Sequence, residues 1–141
     1  MATIKLETVL GYVPLFRGLT KRQLKHLASL CDVAEYMAGA SIVREGTPGD
    51  AFYVVLTGQA KVTANKRFIR RILPGDHFGE VSLIDDVPRS ATVTADTDLH
   101  CYALSAWEFR PFVESHPKIS WAMLKGLAKR LGDQAPAPGQ P

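Results

Sequence analysis

Cysteine is scarce in this chain: Cys31 and Cys101 are the two present, each in apolar or mixed surroundings, and they form no CxxC. That pattern excludes a disulfide framework and fits reduced, buried thiols in a cytosolic protein. Long apolar runs are missing as well, so no helix is expected to cross a membrane. The opening MATIKLETVLGYVPLF lacks a charged region followed by a long apolar core, and it does not read as a signal peptide. His26, His77, His100 and His116 stand singly, without HxH or HExxH. A cupin-like metal enzyme would need converging imidazoles and a carboxylate, so no metal site is expected. Ser82 lies near Glu80, but no histidine is assigned beside it, so no catalytic residues are assigned and the chain does not read as an enzyme.

Excess charge is also small, with a net value of +3. Basic residues gather at 17–25 and 61–71, and acids between 76 and 98, where Arg89 stands alone among them. The basic groups read as a solvated face rather than a nucleic-acid patch. The sequence leads to no expectation of a second helical unit that would read DNA. What the chain does have is 141 residues with 46% hydrophobic and 22% charged side chains, enough for one domain with its own core.

Thr20-Lys21-Arg22-Gln23 has capping-box spacing, and Leu24, Leu27, Ala28 and Cys31 follow at helical intervals. The spacing predicts a helix over 21–31, preceded by a hydrophobic cluster of Val9, Leu10, Val13 and Leu15. From 33 onward short β-rich runs alternate with glycine: AEYMA, SIVRE, AFYVVLTG, AKVTA, FIRRILPG, ATVTADT and LHCYALS. They suit a small closed or rolled all-β unit. Asn65-Lys66 reads as a hairpin tip, since asparagine tolerates positive φ. Ser105-Ala106-Trp107-Glu108 has capping-box spacing for a short helix. Pro117 then opens an amphipathic helix with Ile119, Met123, Leu127 and Leu131 on one stripe, widened by Leu124 and Ala128; Gly132 is expected to end it. QAPAPGQP is too poor in apolar residues to fold and is expected to be disordered.

The chemistry concentrates in HFGEVSLIDDVPRSATV, residues 77–93. Gly79 permits a sharp turn or a close approach to a ligand. Val81-Ser82-Leu83-Ile84 suits one helical turn whose first N–H groups have no intrahelical partner and can hold an anion. Arg89, folded back, offers a planar fork suited to two phosphate oxygens. Glu80 can accept from a sugar hydroxyl. The alternative is that Glu80 and Arg89 pair with each other and Gly79 serves only a turn. Asp85 and Asp86 read as the solvated tip of a loop.

FGEVSLIDDVPRSATV closely resembles the phosphate-binding cassette of the cyclic-nucleotide-binding domain family, whose glycine, glutamate, leucine, proline, arginine and alanine all fall in register here. The stretch LFRGLTKRQLKHLASLCDVAEYMAGASIVREGTPGDAFYVVLTGQAKV looks like the family's opening helical motif and first half of its β-roll, and the resemblance covers residues 13–131. It implies a mainly β fold with flanking helices, an antiparallel double-stranded β-helix or jelly roll. The implied domain runs over 1–133: a helical part at 1–32, the roll at 33–104 with the cassette at 78–92, and C-terminal helices at 105–132. The tail at 134–141 stands outside it. The resemblance also implies roles. Glu80 would take the ribose 2′-hydroxyl and Arg89 the cyclic phosphate. Backbone N–H groups near Ser82, and those of Ser90 and Ala91, would complete the cradle. Gly79 would bring backbone near the ribose, flanked by Phe78 and Val81. Val62, Ile72 and Leu73 are candidates for walling the base. The last helix would act as a lid, with Arg130 and Leu131 as capping candidates; Arg130 staying in solvent is the alternative. The implied ligand is cyclic AMP, with cyclic GMP as the other choice because the Ser90 hydroxyl can serve a guanine. No cofactor is implied. A ligand-independent interaction module is the rival reading, the effector is unassigned, and a monomer or weak homodimer is expected.

Overall fold

The computed structural model describes residues 10–134. Expectations for residues 1–9 and for the tail beyond 134 lie outside the described residues. A 3-10 turn at Pro14–Phe16 leads to α1 (Lys21–Leu30). Eight strands follow: β1 (Asp32–Tyr36), β2 (Ser41–Val43), β3 (Ala51–Thr57), β4 (Ala60–Ala64), β5 (Arg67–Ile72), β6 (His77–Phe78), β7 (Thr92–Ala95) and β8 (Leu99–Ser105). One short helix, α2 (Glu80–Ile84), lies between β6 and β7, and α3 (Ala106–Glu114) and α4 (Pro117–Gln134) close the described chain. Two four-stranded sheets, in the orders β1-β8-β3-β6 and β2-β7-β4-β5, are antiparallel throughout. The rolled β unit with flanking helices is the expected architecture.

Strand β3 explains why there are two cores. Its five residues Ala51 to Val55 are all buried, because each face of the strand meets a different layer. Phe52 and Val54 join Leu27, Phe109, Phe112, Ile119 and Met123 in a core between the first sheet and the helices. Tyr53 and Val55 join Val62, Ile72, Val93 and Cys101 between the two sheets. Side chains alternate across a strand, so a continuous apolar run here means burial on both faces. The β4–β5 hairpin turns at Asn65 and Lys66, with φ of 51° and 65°. Two successive positive φ values match the twist of the flanking strands, as the asparagine suggested.

The Thr20 capping box is present in both directions, with Gln23 N donating to Thr20 Oγ1 at 3.1 Å and Thr20 N donating to Gln23 Oε1 at 2.8 Å. The second expected box is absent. Ser105 makes no side-chain cap, because it is still the end of β8, paired opposite Ala51. The Glu108 Oε2 atom is buried without a partner. Gly132 does not end α4, which continues to Gln134. The expected stripe on α4 is only partly covered. Ile119 and Met123 are buried, whereas Leu124 and Leu131 are exposed. The helix leaves the core after its first turns, and its far end borders the roll instead. Strand β6 escaped the sequence pattern. It is two residues long and is held by pairing with β3 and by Phe78 stacking on Tyr53 at 5.0 Å between ring centroids.

Loss of the Thr20 hydroxyl removes one reciprocal cap from α1. Thr20→Ala is expected to lower stability by about 1 kcal/mol, read as a shifted urea midpoint with unchanged slope; an unchanged midpoint contradicts the role of the cap.

Candidate functional site

Three polar or charged side chains are buried among the described residues: Glu80, Ser82 and Arg89. All three belong to the segment that links β6 to β7. Burying a charge costs several kcal/mol unless it is paired and hydrogen-bonded, so their concentration in one place is a functional signal rather than a packing accident.

Gly79 sits before α2 with φ 97°, a left-handed conformation that favours glycine. A Cβ at this position would stand 2.9 Å from Arg89 Nη1 and 3.0 Å from the Ala51 carbonyl oxygen. The turn therefore leaves room for the guanidinium. Arg89 Nη1 donates to the Gly79 carbonyl at 2.7 Å and to Ser82 Oγ at 2.8 Å. Nη2 donates to the Ala51 carbonyl at 2.7 Å and to Asp50 Oδ1 at 3.1 Å. The Nε atom is buried and has no partner. Asp50, the one carboxylate on this guanidinium, is 76% exposed at its side chain, so water screens it.

Glu80 is not paired with Arg89. Its Oε1 accepts from Arg130 Nη2, which reaches in from α4. Its Oε2 lies 3.6 Å from His77 Nδ1. Burial alone would raise the Glu80 pKa, but the nearby His77, a backbone N–H and the Arg130 charge outweigh it and bring the carboxyl down to about 2. It is therefore ionised at neutral pH.

These groups border a cavity of about 420 Å³ between the cassette, the second sheet and the end of α4. Ten of the sequence-selected residues line it: Phe78, Gly79, Glu80, Val81, Ser82, Arg89, Ser90, Ala91, Val62 and Arg130. Three do not. Ile72 is fully buried in the core between the sheets, Leu73 is exposed in the turn after β5, and Leu131 is exposed on α4. Arg130 reaches Glu80 with its side chain partly exposed.

Sequence reading missed Val43, Ile69, Arg70, Val93 and Asp133. A bulge explains the error on β5. Val62 pairs with Arg70 and Thr63 with Phe68, so Ile69 is an extra residue in the strand. A bulge re-aims side chains, and here it moves the lining from the positions expected at 72 and 73 to 69 and 70. Val43 and Val93 sit in ordinary alternating strands, which does not distinguish a cavity wall from a core. Burial lowers the Arg70 pKa from its ordinary value, and the Arg130 charge adds to the fall.

Elsewhere, His100 lies 3.4 Å from Glu35, and His116 Nδ1 is 2.7 Å from the Phe112 carbonyl oxygen. Among the described residues no cluster of three or more His, Cys, Asp or Glu side chains could hold a metal ion, and no helix is long and apolar enough to cross a membrane.

A family profile described as "Cyclic nucleotide-binding domain" matches residues 33–116. The cAMP-dependent protein kinase regulatory subunit of Aspergillus niger is 39% identical over 95 residues, which is 66% of this chain and 23% of that protein. The chain thus spans about a quarter of the length of this curated relative. The Thermus thermophilus Catabolite Activator Protein superposes with a TM-score of 0.79 at 28% identity, covering 86% of this chain and 59% of that one. The regulatory domain of Toxoplasma gondii PKA, crystallised with cAMP, gives 0.80 at 26% identity, covering 87% and 49%.

A carboxyl depressed in the folded state contributes stability that is present above its unfolded pKa and is lost as pH falls through the folded value. For Glu80 the window runs from its ordinary value of 4.5 down to about 2. Acid unfolding followed by circular dichroism is expected to be less steep across that window in Glu80→Gln than in the parent. Parallel curves contradict the paired, ionised Glu80.

Proposed function

The chain belongs to the cyclic nucleotide-binding domain family, and on that premise we propose that its cavity binds a 3′,5′-cyclic nucleotide, cyclic AMP first. One observation carries the proposal. Arg89 is a buried cation among the residues lining the cavity, its Nε donor has no partner in the protein, and its one carboxylate neighbour, Asp50, faces solvent. A singly charged diester supplies the missing acceptor without the desolvation cost of a doubly charged one. Backbone N–H groups near Ser82, and those of Ser90 and Ala91, complete the phosphate cradle. The ionised Glu80 accepts the ribose 2′-hydroxyl, and Val62 and Val93 supply apolar wall for the base.

Arg130 holds the carboxylate that the ribose needs. Nucleotide binding therefore exchanges one partner of Glu80 for another and frees the end of α4. By linkage, whatever holds Arg130 on Glu80 weakens nucleotide binding, and whatever draws α4 away strengthens it. In this account the protein reports occupancy through α4 to an effector and performs no catalysis.

Arg70 favours cyclic GMP as a second ligand. It lines the cavity and can only donate hydrogen bonds. Guanine presents two acceptors, N7 and O6, on one edge, whereas adenine presents one acceptor and one donor there.

Calorimetry with cyclic AMP and cyclic GMP tests the proposal. The parent is expected to bind, and Arg89→Ala to lose on the order of 2–5 kcal/mol, the range for truncating one partner of a buried charged hydrogen bond. Arg89→Lys, which keeps the charge but not the fork, is expected to fall between them. The 2′-deoxy nucleotide is expected to bind the parent more weakly than the ribonucleotide. Heatless titrations of the folded parent with both nucleotides point instead to an interaction module with an inert pocket.

A further inference from the structure

We propose that His77 is a positioning residue for Glu80 and that it makes nucleotide binding tighten as pH falls. The inference rests on the nucleotide reading of the cavity and deepens it. His77 is fixed from the strand side: β6 pairs it opposite Val54 of β3, and its ring lies tilted on Phe52 with centroids 5.4 Å apart. From that place Nδ1 faces Glu80 Oε2 at 3.6 Å. The atom is buried, and no other group satisfies it within hydrogen-bonding distance. The opposite oxygen of the same carboxylate is held by Arg130. One buried carboxylate thus has two basic neighbours of different kinds. Arg130 is a long side chain at the far end of α4, and it competes directly with a ribose hydroxyl for Oε1. His77 is anchored in a strand and keeps Oε2 in place during that exchange.

The electrostatics give the pH dependence its sign. The groups against the imidazole are Glu80 on α2 and the apolar Phe52 ring on β3, while Arg130 on α4 shares the Glu80 carboxylate, and Arg70 on β5 and Asp76 in the turn before β6 belong to the same charge cluster as Glu80 and Arg130. Glu80 favours the imidazolium, and Arg130, by neutralising that carboxylate, opposes it. Nucleotide binding changes this balance twice in the same direction: an anion arrives, and Arg130 leaves the carboxylate. Both changes favour a proton on His77. Binding therefore takes up protons, and affinity rises as pH falls through the histidine range. Among the described residues His77 is the histidine that stands against Glu80; His100 stands against Glu35 and His116 against the Phe112 carbonyl, and Glu80 itself titrates far below that range.

The test is calorimetry of the full chain with cyclic AMP and its 2′-deoxy analogue between pH 5.5 and 8, in two buffers of different ionisation enthalpy. The parent is expected to bind cyclic AMP at least about threefold more tightly at the acid end, the effect of half a pKa unit of coupling, with net proton uptake. His77→Phe keeps a ring on Phe52 and is expected to lose the pH dependence and part of the preference for the 2′-hydroxyl. His77→Asn, whose amide nitrogen stands near the Nδ1 position, is expected to keep that preference with a flat pH profile. Proton uptake by the parent reads the claim without any variant. A parent that binds without uptake, or a profile unchanged in His77→Phe, overturns the role of His77 alone. A parent that binds no nucleotide at any pH overturns the reading of the cavity and this inference with it.

Discussion

A guanidinium kept out of water organises this molecule. Arg89 is 5% exposed, and a buried cation is tolerated only when its donors are met. The chain meets four of its five N–H groups by folding around it: the Gly79 and Ala51 carbonyls, the Ser82 hydroxyl and the Asp50 carboxylate. These partners come from the turn before α2, from α2 itself and from the start of β3. The arginine therefore ties the cassette to the central strand of the first sheet. Two glycines make the space. A Cβ on Gly79 would meet Arg89 Nη1 at 2.9 Å, and one on Gly49 would meet Ser82 Oγ at 2.5 Å. The fifth donor, Nε, is buried without a partner.

The same segment carries the opposite charge ten positions or fewer away, and the fold keeps the two apart. Glu80 turns toward His77 and Arg130, not toward Arg89. A pocket that joined them would neutralise itself. Keeping them separate gives one wall that attracts an anion and another that accepts from hydroxyl groups. The Arg130 contact then links the second wall to α4. The helix is well packed near its start, where Ile119 and Met123 are buried, and lightly packed beyond it, where Leu124 and Leu131 are exposed. In the proposed account its far end moves while the core stays in place. Such a difference in local packing is what a switch element needs.

Much of this was legible in the residues, because each legible feature is local. The Thr20 box needs four residues, the Asn65-Lys66 turn needs two, strand β3 is a continuous apolar run, and strand β7 shows its faces by alternation. The cassette was legible because Gly79, Glu80 and Arg89 have few other reasons to stand together in an apolar segment. The features that were missed depend on partners distant in the chain. Strand β6 is too short to have a period. The bulge at Ile69 exists only relative to β4, and it moved two base-wall candidates off the cavity. Ser105 has a capping sequence, but β3 claims it as strand. Nothing in the amphipathic pattern of α4 reveals where the core ends beneath it, so Leu131 was chosen where Asp133 lines the cavity.

The central claim is that Glu80 exchanges Arg130 for a ribose hydroxyl while Arg89 receives the phosphate. A crystal structure of the chain with cyclic AMP tests it most directly. The account predicts the ribose 2′-oxygen at hydrogen-bonding distance, about 3 Å, from Glu80, a phosphate oxygen on Arg89 Nε, and Arg130 withdrawn from the carboxylate. A nucleotide bound with Arg130 still seated on Glu80, or with its phosphate away from Arg89, would contradict it.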